Sequence, residues 1–130
     1  MIESVRQFLL SSPLVAFGLV FGSHARGTAR PDSDVDVAIG VAGRARLDAH
    51  DLGDLTSRIE QATGRDVDLV VLHEAGIPLA FRVFREGIEV LVRDRAAFVD
   101  LKARTIVEWF DFQHTCEICV AGALRAARRG

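Results

Sequence analysis

The part of this chain best equipped for chemistry is Gly22-Ser23, followed after the ten residues 24–33 by Asp34-Val35-Asp36. An apolar run from Val15 to Phe21 leads into the Gly-Ser pair. Where a strand breaks and a helix opens, free backbone N–H groups point outward and the helix dipole favours an anion. Gly22 lets a phosphate approach with no Cβ in the way, and Ser23 adds a hydroxyl donor. The plainer alternative is a turn in which Ser23 caps a helix. Asp34 and Asp36 lie two apart in a segment that continues Val37-Ala38-Ile39, so on a strand both project from one face. Two like charges so close are unfavourable unless neutralised, and Mg2+, which prefers hard oxygen ligands, would neutralise them. A solvated polar strand end is the alternative, weakened by the apolar continuation into a core. Asp66-Val67-Asp68-Leu69 offers two further same-face carboxylates on a following strand, candidates for the third ligand of a two-metal site.

The elements that must position these groups can be read from periodicity. Residues 2–11 form a short helix with Ile2, Val5, Phe8 and Leu9 on one face. Val15–Phe21 is apolar on both faces, as a central strand covered on both sides would be. A short helix over 23–27 follows, then a polar loop from Thr28 to Ser33 holding Pro31. Residues 34–39 alternate as a strand, with Val35, Val37 and Ile39 on one face and Asp34, Asp36 and Ala38 on the other. Residues 40–46 read as a loop and 48–62 as a helix ending at a Gly64 cap. A third strand over 66–72 is followed by a helix opening near Pro78 and ending at Gly87. Residues 88–92 form a short edge strand, and 95–127 a long helix or a kinked pair.

The Gly22-Ser23 and Asp34-x-Asp36 set resembles the active-site motif of the polymerase-β-like nucleotidyltransferases. Beyond it, Ala25-Arg26-Gly27, Asp32-Ser33-Asp34, Val67-Asp68-Leu69-Val70 and Arg85-Glu86-Gly87 look like the minimal nucleotidyltransferases encoded beside a HEPN-domain partner. The resemblance covers nearly the whole chain. It implies an α/β fold, a mixed sheet flanked by helices with a C-terminal helical segment. The whole of 1–130 would be one nucleotidyltransferase domain, with the catalytic core in 1–92 and the helical segment in 94–130. It implies an Mg2+-dependent reaction with two ions. Asp34 and Asp36 would hold both ions. Asp68, matching the family's third carboxylate, would help hold the second and take the acceptor's proton. Asp66 is then a solvated strand start. Gly22, Ser23 and Arg26 would bind the nucleotide, with ATP as substrate and pyrophosphate leaving. For Arg26 and Arg30, ion pairing with Asp32 or plain exposure is an equal alternative.

In MntA-type pairs the nucleotidyltransferase is an antitoxin that transfers AMP to a tyrosine of a HEPN ribonuclease toxin, so the resemblance implies a toxin partner in a hetero-oligomer. The chain has no Tyr, which would put a tyrosine acceptor on another protein. Residues 1–92 use up the sheet and its helices, leaving little room for a separate substrate domain. Two other readings stay open: nucleotidyl transfer to a small-molecule hydroxyl such as an antibiotic, and a non-catalytic module that neutralises its partner by contact.

Composition excludes several classes. A chain of 130 residues with 49% hydrophobic residues can bury a core. A net charge of −2 argues against direct nucleic-acid binding. No apolar run reaches the ~18 residues of a membrane helix, no signal-peptide pattern opens the chain, and Cys116 and Cys119 make no disulfide framework, so a cytoplasmic setting is expected. His114-x-Cys116-x-x-Cys119 looks like half a zinc site, but small residues buried in a helical core are the expectation. His24 takes no catalytic role. Trp109-Phe110-Asp111-Phe112 cannot turn every ring inward on one helix, and a contribution to a partner surface is expected.

Overall fold

Each strand of this chain is fixed by which side chains it can bury on which face. The structure, a computed structural model, describes residues 1–43 and 45–129; Arg44, in the expected 40–46 loop, and Gly130, at the end of the expected helical segment, lie outside the described residues. The elements run α1 (Ile2–Leu10), β1 (Val15–Phe21), α2 (Ser23–Arg26), β2 (Val35–Val41), α3 (Ala49–Thr63), β3 (Val67–Val71), α4 (Ile77–Glu86), β4 (Ile88–Val92) and α5 (Arg95–Arg129), with a 3-10 turn at Leu72–Glu74. The four strands form one mixed sheet in the order β3-β2-β1-β4. β1 is antiparallel to both β2 and β4, and β2 is parallel to β3. This is the expected α/β architecture, with β4 at an edge.

Every residue of β1 is buried, which is why its sequence is apolar throughout. Val15 and Val20, with Val35, Val37 and Ile39 of β2, join Val5 and Leu9 of α1 and Leu55 and Ile59 of α3 in one core layer. Phe17, Leu19 and Phe21 of β1 and Ala38 of β2 point to the opposite side, against Ala80, Val83 and Phe84 of α4 and Phe98 of α5. Phe98 meets Phe17 edge-on at 5.2 Å and Phe84 at 5.7 Å between ring centroids. The carboxylate-bearing face of β2 is therefore the face that α4 covers.

Helix ends follow their local chemistry. Asp48 caps α3 by accepting from the Asp51 N–H at 2.8 Å, while Asp51 accepts from the Asp48 N–H at 3.3 Å. Gly64 closes the helix at φ 67°. At the other end of the sheet, Arg93 donates to the carbonyls of Ser12 at 2.6 Å, Val15 at 3.2 Å and Leu10, satisfying groups left over where α1 ends.

Two expectations need adjustment, the extent of β2 and the setting of the two cysteines, and of the two readings of the last region the long helix holds. β2 runs on through Gly40 and Val41, because Gly40 lies opposite Phe17 and a side chain there would strike that ring. The last region is one helix, α5, with no kinked pair. Its buried residues are Phe98 and Thr105, and from Phe110 onward nearly every residue is exposed. Cys116 and Cys119 are thus exposed and not part of a helical core; the helix has outrun the sheet it packs on. No described helix is long and apolar enough to cross a membrane.

Candidate active site

β1 ends at Phe21, and the chain must turn sharply to start α2. Gly22 makes that turn at φ 72°, ψ −147°, a conformation that L side chains rarely adopt. Its carbonyl accepts from the N–H groups of both Ala25 and Arg26 at 3.1 Å. Ser23 opens α2 and is half-buried, so its hydroxyl and the first N–H groups of that turn sit at the sheet's end.

A loop then returns the chain to β2. Arg65 holds this loop from α3's far side, donating to the carbonyls of Arg30 at 3.3 Å and Pro31 at 2.8 Å. Within the loop, the Arg30 N–H donates to Ser33 Oγ at 2.7 Å, and His24 Nε2 lies 3.4 Å from the Ser33 carbonyl. The Val35 N–H donates to the Asp66 carbonyl at 2.9 Å, and the Val67 N–H to Glu60 at 3.0 Å. These bonds fix the register at which β2 and β3 begin.

That register places Asp36 directly beside Asp68 across the parallel pair, and beside Phe21 across the antiparallel one. Asp36 and Asp68 consequently emerge side by side on the α4 face. Asp34 is exposed just ahead of β2, and Asp66 is exposed just ahead of β3. A Cβ on Gly22 would run into the Asp36 carboxylate. The turn and the carboxylate are built against each other, and glycine is what allows it.

Burial pushes the Asp36 carboxyl above the usual carboxylate range. The charge of Asp68 pushes the same way, and that of Asp34 adds to it, while Arg82 and His24 oppose the rise. The carboxylates therefore carry like charge that Arg82 and His24 relieve only in part; a divalent cation would relieve it further, and their oxygens suit Mg2+. Among the described residues, no three acidic, histidine or cysteine side chains yet stand close enough to enclose an ion. The donor set fits such an ion in charge and ligand type, with some closing-in still required.

The raised pKa carries a stability consequence. The unfolded value is 3.8 and the folded one is higher, so between them the folded chain binds more protons. This carboxyl thus favours folding as pH falls through its folded pKa, and its ionised form opposes folding above that point. Neutral pH lies on the unfavourable side. Asp36→Asn is expected to raise Tm by a few degrees at neutral pH without metal or nucleotide, and to lose that advantage toward about pH 4. Thermal melts at the two pH values check this; a lower Tm at neutral pH contradicts it.

Arg26 closes α2 and donates to Glu86 of α4 at 3.0 Å, so it is paired, though not with Asp32. Sequence reasoning missed Arg82, whose charge is felt at Asp36. Its signal was an Arg82/Glu86 pair four apart on one helix face, too common on its own to mark a site. Also on α4, Phe81 stacks on Trp109 of α5 at 4.7 Å and 10°, and Phe112 continues the row at 5.8 Å from Trp109. Phe110 is 61% exposed, and is the outward ring of the expected aromatic cluster.

The family described as polymerase beta, nucleotidyltransferase, matches residues 3–96. No curated protein matches the chain. Among solved structures, a chain of a toxin–antitoxin complex crystallised with AMP-PNP is 23% identical, with a TM-score of 0.80 over 95% of this chain and 98% of its own. A chain of a Shewanella oneidensis complex, a tri-AMPylated HEPN toxin with its MNT antitoxin, is 20% identical, with a TM-score of 0.71 over 95% of this chain and 99% of its own. A protein described as a minimal nucleotidyltransferase is 34% identical, with a TM-score of 0.51 over 64% of this chain and 86% of its own.

Proposed function

The chain belongs to the polymerase β nucleotidyltransferase family, and from that premise we propose that it is an antitoxin that transfers AMP from ATP to a tyrosine hydroxyl of a HEPN-domain toxin. The observation that carries the chemical part is the side-by-side register of Asp36 and Asp68 against the Gly22 turn. Asp34, Asp36 and Asp68 are the groups that would hold Mg2+. Bound there, the ions would polarise the phosphate oxygens and lower the pKa of the acceptor hydroxyl. Ser23 Oγ and the N–H groups of its turn would orient the β- and γ-phosphates. Asp68 would take the acceptor's proton. The acceptor oxygen then bonds to the α-phosphorus as the bond to the bridging oxygen breaks, and pyrophosphate leaves. Such transfer needs the hydroxyl held in line and close.

Two observations support a protein acceptor. Two of the similar solved chains come from toxin–antitoxin complexes, one with an AMPylated HEPN toxin. Trp109 of α5 stacks on Phe81 of α4, and the free half of α5 beyond it, with exposed Phe110 and Phe112, continues from the helix that borders the site; it is the surface we assign to docking. Calorimetric titration tests the nucleotide part. ATP is expected to bind clearly with Mg2+ and at least about tenfold more weakly in EDTA, since the carboxylates otherwise repel the triphosphate. Equal affinity in the two conditions would remove the metal-site assignment.

A further inference from the structure

We propose that Arg82 is a polyphosphate-binding residue of this site, held ready beside Arg26 by the shared carboxylate of Glu86. The inference rests on the nucleotidyl-transfer reading and adds a ligand contact from α4, an element outside the strand-and-turn motif.

Glu86 stands at the end of α4, its side chain only 16% exposed, while those of Arg26 and Arg82 are 47% and 46% exposed. One oxygen, Oε1, accepts from Arg26 Nη1 at 3.0 Å and from Arg82 Nε at 3.1 Å. Two guanidiniums thus share a single carboxylate, so the cluster keeps a surplus positive charge. Among the described residues, Arg82 engages Glu86 through Nε alone, leaving its two terminal nitrogens as an open fork, the geometry that suits phosphate oxygens.

The position is as telling as the charge. Arg26 lies three residues beyond Ser23 on α2, and α4 covers the face from which Asp36 and Asp68 emerge. The clamp therefore bridges the Gly22-Ser23 turn and the carboxylates, where a bound triphosphate would run. A helix-stabilising pair four residues apart explains Arg82 with Glu86, but not the long-range bond that brings Arg26 onto the same oxygen. The ligand class it fits is a polyphosphate, either the β,γ-diphosphate of ATP or free pyrophosphate; AMP lacks those groups.

Titration of the full-length chain with ATP, pyrophosphate and AMP, each with Mg2+, tests this in wild type, Arg82→Ala and Arg82→Gln. Both variants are expected to lose about tenfold or more in affinity for ATP and pyrophosphate. AMP should behave alike in all three proteins, and Tm should hold within a few degrees. If wild type binds ATP and both variants bind it equally well, Arg82 is no ligand and the proposal fails while the nucleotidyl-transfer reading stands. A uniform loss for AMP as well would make Arg82 merely structural and would also overturn it. If wild type binds no Mg–ATP, the nucleotidyl-transfer reading itself falls.

Discussion

Asp36→Asn is expected to reduce AMP transfer by about 10³-fold or more, roughly 4 kcal/mol of transition-state stabilisation, in a protein that remains folded. The substitution keeps the side chain's shape and removes one charged ligand oxygen from the centre of the carboxylate set. Asp36 is where the site's constraints meet. It faces Asp68 across the parallel pair, packs against the Gly22 turn and feels Arg82 from α4. No neighbouring carboxylate can move into its place, because the strand register fixes each one. Asp68→Asn should also slow transfer strongly but leave ATP affinity close to normal, since the role proposed for it lies on the acceptor side. Single-turnover assays with ATP and purified partner separate the two effects. Normal turnover in either variant would sink the assignment for that residue.

Gly22→Ala carries the second-largest expected effect. The backbone at this position has φ 72°, and the added methyl would run into the Asp36 carboxylate. Relieving the clash must move either the turn that presents Ser23 or the carboxylate that would hold Mg2+. A loss of about 10²-fold in transfer is expected, because displacing reacting groups by even about 1 Å is costly. Gly27 provides the control. It has φ 74°, yet a Cβ there would meet nothing within 4 Å. Gly27 has ψ 18°, in the left-handed helical region, against −147° at Gly22, so Gly27→Ala should show the milder strain of that region, about 1–2 kcal/mol, with transfer largely kept. If the two variants lose activity equally, backbone strain and not the Gly22–Asp36 contact is responsible.

The strands and their faces were legible because alternation and burial agree. Val35, Val37 and Ile39 enter one core layer, which leaves Asp36 on the other face. The helix stops at Gly64 and Gly87 were legible from local chemistry. What the sequence did not disclose depends on contacts between distant segments. Nothing local to Arg82 indicates that α4 lies over the carboxylates, and nothing local to Arg26 indicates that it reaches across 60 residues to Glu86. The two added residues of β2 came from Gly40 fitting against Phe17, again a long-range fit. Cys116 and Cys119 were misplaced for a related reason. Apolar periodicity on a helix reports a surface to be covered, not whether the same chain covers it. Here the packing of α5 on the rest of the chain ends near Trp109, which stacks on Phe81 of α4, while the apolar residues Ile118, Val120 and Leu124 continue in the open, each more than half exposed.

The most direct test is the intact mass of the proposed partner toxin co-expressed with this chain, wild type against Asp36→Asn. The account predicts that the partner from wild-type co-expression gains the mass of one adenylyl group or a whole multiple of it, located on tyrosine, and stays inactive after the two proteins are separated. With Asp36→Asn the partner should keep its unmodified mass. A partner that is neutralised by the wild-type chain yet unmodified, and that regains activity on separation, would contradict AMP transfer and leave neutralisation by contact as the mechanism.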